Sequence, residues 1–213
     1  MSGANMVAVD PAAPEAEEID RAAAILRAGG LVAFPTETVY GLGADGLNAA
    51  AVAQIFAVKG RPAEKGLILH LAEREAIEPL VEEVPEAARR LIERFTPGPL
   101  TLVLRARSIV PEVVRGGGET VAVRWPDHPV ARALILATGR PIAAPSANRS
   151  GDPPALGAAD VARSFGERID LILDGGPAPL RVPSTLVDLT AQPPRILREG
   201  AVSEAQVRAA LEP

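Results

Sequence analysis

Residues 29–46 read GGLVAFPTETVYGLGADG, and the choice between two fold classes depends on this stretch. Apolar residues recur at helical spacing from Glu15 to Ala28, and the pair Gly29–Gly30 then ends the predicted helix, since glycine is typical of a helix C-terminus. The apolar run 31–34 stops at Pro35, which predicts a short buried strand because proline is excluded from strand interiors. The stretch therefore begins as the end of a helix followed by a strand.

The glycines of GLGADG (41–46) match G-x-G-x-x-G, the phosphate-binding pattern of dinucleotide-binding folds. In such a fold the glycines follow a buried strand, and an acidic residue about 20 positions later binds the ribose. Here the preceding segment, PTETVY (35–40), is polar, and Glu64 lies in a loop that contains glycine and proline. The context disfavours a doubly wound dinucleotide-binding domain.

Helical and strand-like segments are mixed along the rest of the chain without strict alternation. Further helices are predicted over 49–58, with Asn48 as the N-cap, and over 85–95, 128–138, 158–165 and 204–211. Further strands are predicted over 67–71, 100–106, 120–123, 141–147, 169–173, 184–190 and 195–199. This order predicts a single α/β domain with a mixed parallel and antiparallel sheet and flanking helices.

The composition excludes several classes of protein. The 213 residues are 47% apolar and 23% charged, which is typical of a folded globular domain. Without cysteine the chain forms neither disulfides nor thiolate metal sites. No apolar run is long enough to cross a bilayer and the N-terminus lacks a signal-peptide pattern, so we expect a cytoplasmic protein that binds no membrane. With a net charge of −5, RNA binding would need a local basic patch.

The stretch VKGRPAEKGLILHL (58–71) contains Lys59 and Lys65, the only lysines among 22 basic residues. Arg61 lies between them, and a glycine and a proline restrict the backbone. Lysine is a compact charge suited to phosphate oxygens, and arginine offers a planar fork. The set predicts a loop that binds a polyphosphate, and a solvated basic turn is the alternative.

His70 follows this loop in a predicted strand. Two interpretations are open: a structural histidine, or part of a polar pocket with Thr36, Thr38 and Tyr40. No second histidine, cysteine or carboxylate stands at metal-ligand spacing, so no protein-bound metal is expected.

The segment APSANRSGDPP (144–154) places Ser146 and Asn148 on one side of an extended chain, where they could meet a nucleotide. Turn formation is the alternative for these residue types. No G-x-S-x-G pattern occurs, so a serine hydrolase is not supported. Three more polar residues stand at predicted strand ends: Arg124, Ser184 and Arg198. Arginine at the end of a buried strand often faces an anion in a cleft, and rim salt bridges are the alternative.

Seven segments in this order carry a resemblance to a known family: GGLVAFPTETVYGLGADG, KGRPAEKGLILHL, PGPLTLVL, VAVRWPDHP, APSANRSGDPP, PSTLVD and ILREG. They span about residues 15–210 and resemble the YrdC family, the threonylcarbamoyl-AMP synthases. The resemblance implies a twisted, mixed-sheet α/β catalytic domain over residues 15–213 with a large concave cationic cleft, after an N-terminal extension of residues 1–14. Because the sequence stops at Pro213, it resembles the short, single-domain form of the family.

The resemblance also implies an activity. Members of this family are nucleotidyltransferases that condense L-threonine, bicarbonate and ATP into threonylcarbamoyl-AMP and pyrophosphate, with Mg²⁺ on the ATP and no organic cofactor. The product serves the threonylcarbamoyl modification of adenosine 37 of tRNA through a downstream transfer complex; direct binding of tRNA or double-stranded RNA stays open. The alternatives are a double-stranded RNA-binding module and a carbamoyl-transfer domain of the hydrogenase-maturation type.

Site residues follow from the resemblance position by position. The motif residues expected to be catalytic are Lys59, Arg61, Ser146 and Asn148. Those expected to bind L-threonine are Thr38, His70, Arg124, Ala144 and Ser184. Those expected to bind ATP are Arg61, Lys65, Thr120, Ser146, Pro154 and Arg198.

Overall fold

The strands of this protein join into one mixed sheet. The structure is a computed structural model that describes residues 5–212. Within that range the strands are β1 (Met6–Ala8), β2 (Val32–Phe34), β3 (Gly41–Asp45), β4 (Ile68–His70), β5 (Leu100–Arg105), β6 (Thr120–Arg124), β7 (Ile142–Ala143), β8 (Leu171–Asp174), β9 (Thr185–Asp188) and β10 (Arg195–Arg198). The α-helices are α1 (Ala16–Arg27), α2 (Ala49–Lys59), α3 (Glu86–Phe95), α4 (Glu112–Arg115), α5 (Pro129–Thr138), α6 (Ala158–Phe165) and α7 (Glu204–Leu211).

The strand order is β1-β8-β2-β3-β7-β4-β6-β5-β9-β10. The pairs β1–β8, β8–β2, β4–β6 and β5–β9 are parallel, and the remaining neighbours are antiparallel. The predicted mixed α/β sheet is therefore confirmed. Residues 6–8, which were expected to lie in an N-terminal extension, form the edge strand β1 beside β8. Residues 1–4 of that expected extension lie outside the described residues. Residue 213, at the other terminus, also lies outside them.

The GLGADG stretch is a strand, which the sequence patterns did not predict. β3 lies between β2 and β7, and every residue from 31 to 46 is buried. Gly43 is required here by packing, since a Cβ on it would stand 2.8 Å from the Phe34 ring and 2.8 Å from Ile142 Cγ2. The glycines thus allow close strand packing.

Helix α2 begins and ends as its capping residues dictate. The Asn48 side chain accepts the N–H groups of Ala50 and Ala51 at 3.1 and 3.2 Å, as predicted for an N-cap. Gly60, with φ of 61°, ends the helix in the left-handed conformation. The helix runs one residue beyond the predicted end at residue 58, so Lys59 belongs to its last turn.

Helices cover both faces of the sheet. The apolar sides of α1 and α5 pack together over β2 and β8, around Leu26, Phe34 and Leu134. Helices α2, α3, α4, α6 and α7 contribute to a larger core on the opposite face, which contains Ile55, Leu69 and Trp125. No helix among residues 5–212 is long and apolar enough to cross a membrane.

Candidate active site

A cleft opens where β4 and β6 end beside the segment that follows β7. In the parallel pair β4–β6, His70 stands opposite Arg124, so both side chains lie at the same end of the sheet. Ala144, directly after β7, donates its N–H to Ile68 O over 2.9 Å. Strand register therefore positions these residues.

Most of the predicted site residues line this one cleft. They are Thr38, Arg61, His70, Arg124, Ala144, Ser146, Asn148, Pro154, Ser184 and Arg198. Lys59, Lys65 and Thr120 do not line it. Thr120 is half-buried at the start of β6, two residues before Ala122, which pairs with Ile68.

Lys59 lies behind the cleft, which corrects its expected place in a phosphate-binding loop. Its ammonium group is buried and donates hydrogen bonds to the main-chain oxygens of Ser146, at 2.6 Å, and Asn148. It also lies 5.9 Å from the centre of the Phe165 ring, within cation–π range. Burial, and secondarily repulsion from Arg61, lowers the pKa of Lys59 from 10.5 to about 8. The lysine joins the end of α2 to the turn that carries the two predicted motif residues.

Arg61 faces the cleft from the loop that follows α2. Its Nε donates to Lys65 O at 3.0 Å and its Nη2 to Gly66 O at 2.9 Å. These bonds shape the loop and leave part of the guanidinium towards the cleft. Lys65 is exposed and does not line the cleft. Of the three predicted loop cations, Arg61 is therefore the one that lines the site.

The turn that begins at Ser146 is built by its own polar groups. The Asn148 amide nitrogen donates to Arg149 O and Asp152 O, each at 2.8 Å. Its Oδ1 is buried and accepts no hydrogen bond from the described residues. Asn148 lines the cleft, and a buried amide oxygen without a partner is unusual enough to mark the residue as a functional candidate. Asp152, which the sequence patterns did not single out, also lines the cleft.

His70 is both buried and part of the cleft, so the two interpretations of its pattern hold together. It is 3% exposed, and its ring meets the Phe34 ring edge-on at 6.1 Å. Burial, and next the charge of Arg124, lowers the pKa of His70 to about 3. The imidazole is therefore neutral at physiological pH, and Nδ1 has no partner among the described residues. A neutral histidine here can offer a hydrogen bond but no charge.

Hydroxyl groups gather at the same end of the cleft. Thr101 Oγ1 and Ser184 Oγ are 2.7 Å apart, and Thr36 Oγ1 and Thr38 Oγ1 are 2.9 Å apart. Tyr40 contributes no hydroxyl, since its OH donates to the main chain at Gly176. Thr36 Oγ1 also donates to Val39 O at 2.6 Å, so Thr38 is the donor in its pair and its oxygen can still accept a hydrogen bond. In the pair of Thr101 and Ser184 either hydroxyl can donate.

Arginines border these hydroxyls. Arg198 donates from Nε and Nη2 to Ser184 O at 3.1 and 2.9 Å. Burial, and next the nearby charge of Arg124, lowers the pKa of Arg198. Arg124 lies 2.7 Å from a carboxylate oxygen of Glu37, a buried acid that the sequence patterns also missed. The only signal for Glu37 in the sequence was its place between Thr36 and Thr38 in a polar segment. The arrangement can bind an anion next to a hydroxyl-bearing group.

A protein-held metal is not indicated by the described residues. Within residues 5–212, no group of three or more histidine, cysteine, aspartate or glutamate side chains could hold a metal ion.

Several known proteins are similar to this chain in sequence and in fold. The family model described as "Telomere recombination" (Sua5_yciO_yrdC) matches residues 24–200. A relative from Pyrococcus abyssi named Threonylcarbamoyl-AMP synthase is 54% identical over 181 residues, which cover 85% of this chain and 53% of that protein. A relative of the same name from Bacillus subtilis is 47% identical over 198 residues, which cover 92% of this chain and 57% of that protein.

A solved structure extends the likeness to three dimensions. The crystal structure of P. abyssi Sua5 complexed with L-threonine has a TM-score of 0.94 at 49% identity, covering 96% of this chain and 60% of that chain. This chain thus spans somewhat more than half the length of these relatives. Because the family match covers most of the sequence and the fold agrees, the chain belongs to the Sua5/YciO/YrdC family.

Proposed function

We propose that this protein synthesises threonylcarbamoyl-AMP from L-threonine, bicarbonate and ATP. The observation that carries the proposal is that one cleft is lined by two chemically different sets of residues, here called its two ends. One end has paired hydroxyls beside Arg124 and suits a small hydroxy amino acid. The other has Arg61, Ser146 and Asn148 and suits phosphate. The relatives named as threonylcarbamoyl-AMP synthases, and the relative solved with L-threonine, support the same assignment.

At the amino-acid end, Arg124 would pair with the threonine carboxylate, and Thr38 or Ser184 would bond its side-chain hydroxyl. His70 and the main chain of Ala144 would complete the pocket. ATP would contact Arg61, Lys65, Ser146 and Pro154 at the nucleotide end. Arg198, which lies beside Ser184, and Thr120, which does not line the cleft, complete the six residues expected to bind it. Lys65 reaches the nucleotide in this scheme only if its exposed side chain turns inward.

The reaction needs no protein nucleophile. The threonine amine attacks the carbon of bicarbonate, a C–N bond forms, and water leaves to give a carbamate. A carbamate oxygen then attacks the α-phosphorus of ATP and expels pyrophosphate. Arg61 stabilises charge that develops on the phosphates, while Ser146 and Asn148 orient them. Mg²⁺ would come with ATP, held by phosphate oxygens and water, and would supply charge neutralisation.

The product is a reactive mixed anhydride, so we also propose that a downstream enzyme transfers its threonylcarbamoyl group to adenosine 37 of tRNA in the cytoplasm. The alternative function is binding of double-stranded RNA in the same cleft. It predicts salt-dependent RNA binding without any threonine requirement.

The decisive experiment measures pyrophosphate release from ATP with threonine and bicarbonate each omitted in turn. We expect release to require both substrates. Release that is indifferent to threonine, or a requirement for carbamoyl phosphate in place of bicarbonate, would contradict the proposal. An Arg61→Ala variant should reduce the release, which would assign it to this cleft.

A further inference from the structure

Glu37 carries a buried carboxylate behind the amino-acid end of the cleft. Its neighbours Thr36 and Thr38 line the cleft, but Glu37 does not. Its side chain is 9% exposed, and Oε1 lies 2.7 Å from Nη2 of Arg124, whose side chain is 4% exposed. The N–H of Nη2 does not point at this oxygen, so the contact is an ion pair by distance but not a hydrogen bond by angle.

The guanidinium of Arg124 is held on two of its three nitrogens. Nε donates to Gly98 O at 3.4 Å, and Nη2 faces Glu37. Nη1 has no hydrogen-bond partner among residues 5–212, and Arg124 lines the cleft. The hydrogen bond at Nε and the ion pair at Nη2 together restrict the directions in which the planar fork can present Nη1.

Nothing else among the described residues compensates the charge of Arg124. On the cleft side it meets neutral His70 and cationic Arg198, and the pKa of each is lowered in part by Arg124. His128 is also close to Glu37 and has a buried Nδ1 without a partner in residues 5–212. A buried guanidinium without a counter-ion is strongly unfavourable. Glu37 is therefore the counter-ion that stabilises the buried guanidinium of Arg124 when no substrate is bound.

We propose that Glu37 is a positioning residue for the amino-acid substrate: it holds Arg124 through Nη2 and leaves Nη1 for the substrate's α-carboxylate. This inference rests on the proposed function, in which that substrate is threonine. Glu37 itself touches no substrate and acts through Arg124.

The test is the steady-state kinetics of Glu37→Gln, which keeps the shape of the side chain and removes its charge. The KM for threonine should rise about tenfold or more, because a ground-state contact is misplaced. The KM for ATP, and kcat at saturating threonine, should stay within about twofold of the wild type. Asp45→Asn is the matched control, since Asp45 is a buried carboxylate paired with Arg140 at 2.9 Å and lies outside the cleft lining. It should leave the threonine KM unchanged.

A double-mutant cycle separates action through Arg124 from a general structural role. Arg124→Lys alone should raise the threonine KM, and adding Glu37→Gln should raise it by less than about twofold more. Equal and independent effects of the two changes would overturn the inference. If Glu37→Gln does not fold, Glu37→Asp replaces it, because that variant keeps the charge but withdraws it by one methylene; the same split between the threonine and ATP constants is required.

The outcomes also separate this inference from the proposed function. A wild-type protein that releases no pyrophosphate with threonine refutes the function. A wild-type protein that does so, with a Glu37→Gln variant of unchanged threonine KM, refutes only the role of Glu37.

Discussion

Lys59 and Ser146 are joined by a hydrogen bond of 2.6 Å from the buried ammonium to the main-chain oxygen. A second bond from the same ammonium reaches Asn148 O, and Ser150 N donates back to Lys59 O at 3.0 Å. Helix α2 and the turn at 146–150 are thereby fastened to each other. We infer that the contribution of this lysine to activity is to hold that turn in place.

Replacing Lys59 by methionine should both destabilise the protein and slow the reaction. Two buried carbonyls lose their donor, which costs about 1–3 kcal/mol each and is offset in part by removal of a buried charge. Displacement of the turn by about 1 Å should lower turnover about 100-fold. Urea unfolding and pyrophosphate release measure the two effects. The matched control is Lys65→Met, which alters the other lysine, exposed in the structure, and should leave the unfolding free energy unchanged.

Stability should depend on pH through the same lysine. Its pKa is about 8 in the folded protein, against 10.5 for an ordinary lysine. Between these values the unfolded chain binds more protons than the folded one, so the contribution of Lys59 to the unfolding free energy rises with pH. The difference between wild type and Lys59→Met should therefore grow from pH 8 to pH 10. Burial raises the pKa of Tyr40, so its contribution to the unfolding free energy falls as the pH rises above 10. This contribution is the same in the wild type and in Lys59→Met, so it cancels in the difference. A pH-independent difference would contradict the buried, cationic state of Lys59.

Replacing Arg61 should reduce the catalytic efficiency with ATP much more than replacing Lys65. Arg61 lines the cleft, so Arg61→Ala should reduce kcat/KM for ATP about 100-fold or more, as expected for loss of a charge-stabilising group. Lys65 lies outside the lining, so Lys65→Ala should reduce it less than about fivefold, since an exposed charge is screened by salt. Initial rates at varied ATP and ionic strength distinguish the two. Equal losses would show that the loop closes over the nucleotide and brings Lys65 inside.

The paired hydroxyls should determine the choice of amino acid. A site built to bond a substrate hydroxyl rejects an analogue that lacks it, because its own polar groups are then left unpaired. We expect 2-aminobutyrate to be used about 100-fold or more less efficiently than threonine. Thr38→Val should lower the ratio of the efficiency with threonine to the efficiency with 2-aminobutyrate. Competition between the two amino acids, followed by mass spectrometry of the adenylates, gives the ratio directly. An unchanged ratio in Thr38→Val would shift the assignment to Ser184.

Much of the architecture could be predicted because hydrophobic periodicity and capping residues act locally. Asn48 begins α2 as predicted, and the helix ends predicted at residues 58 and 138 lie within one residue of those found at Lys59 and Thr138. β3 could not be predicted, because its glycines are typical of a turn and its burial depends on distant partners such as Phe34 and Ile142. The strand expected over 141–147 is confined to 142–143, since the residues after it turn into the cleft.

The candidate site was predictable in its membership more than in its geometry. The positions of Arg124, Ser184 and Arg198 at strand ends indicated side chains that face a cleft, and all three line the same one. The orientation of Lys59 was not predictable, because it depends on carbonyls nearly ninety residues away in sequence. The partner of Arg124 was equally hidden, since Glu37 belongs to a polar segment that only the folded chain buries.

The pairing of His70 with Arg124 across β4 and β6 affects the order in which parts of the protein unfold. That part of the cleft can be lost only by rupturing central strands, which open at a free energy close to that of global unfolding. The segments 60–66 and 146–152 lie outside the strands and depend instead on scattered backbone bonds and a few side-chain bonds to carbonyls. Amide hydrogens there should exchange with deuterium first. On warming, the proposed nucleotide site should therefore be lost before the proposed amino-acid site.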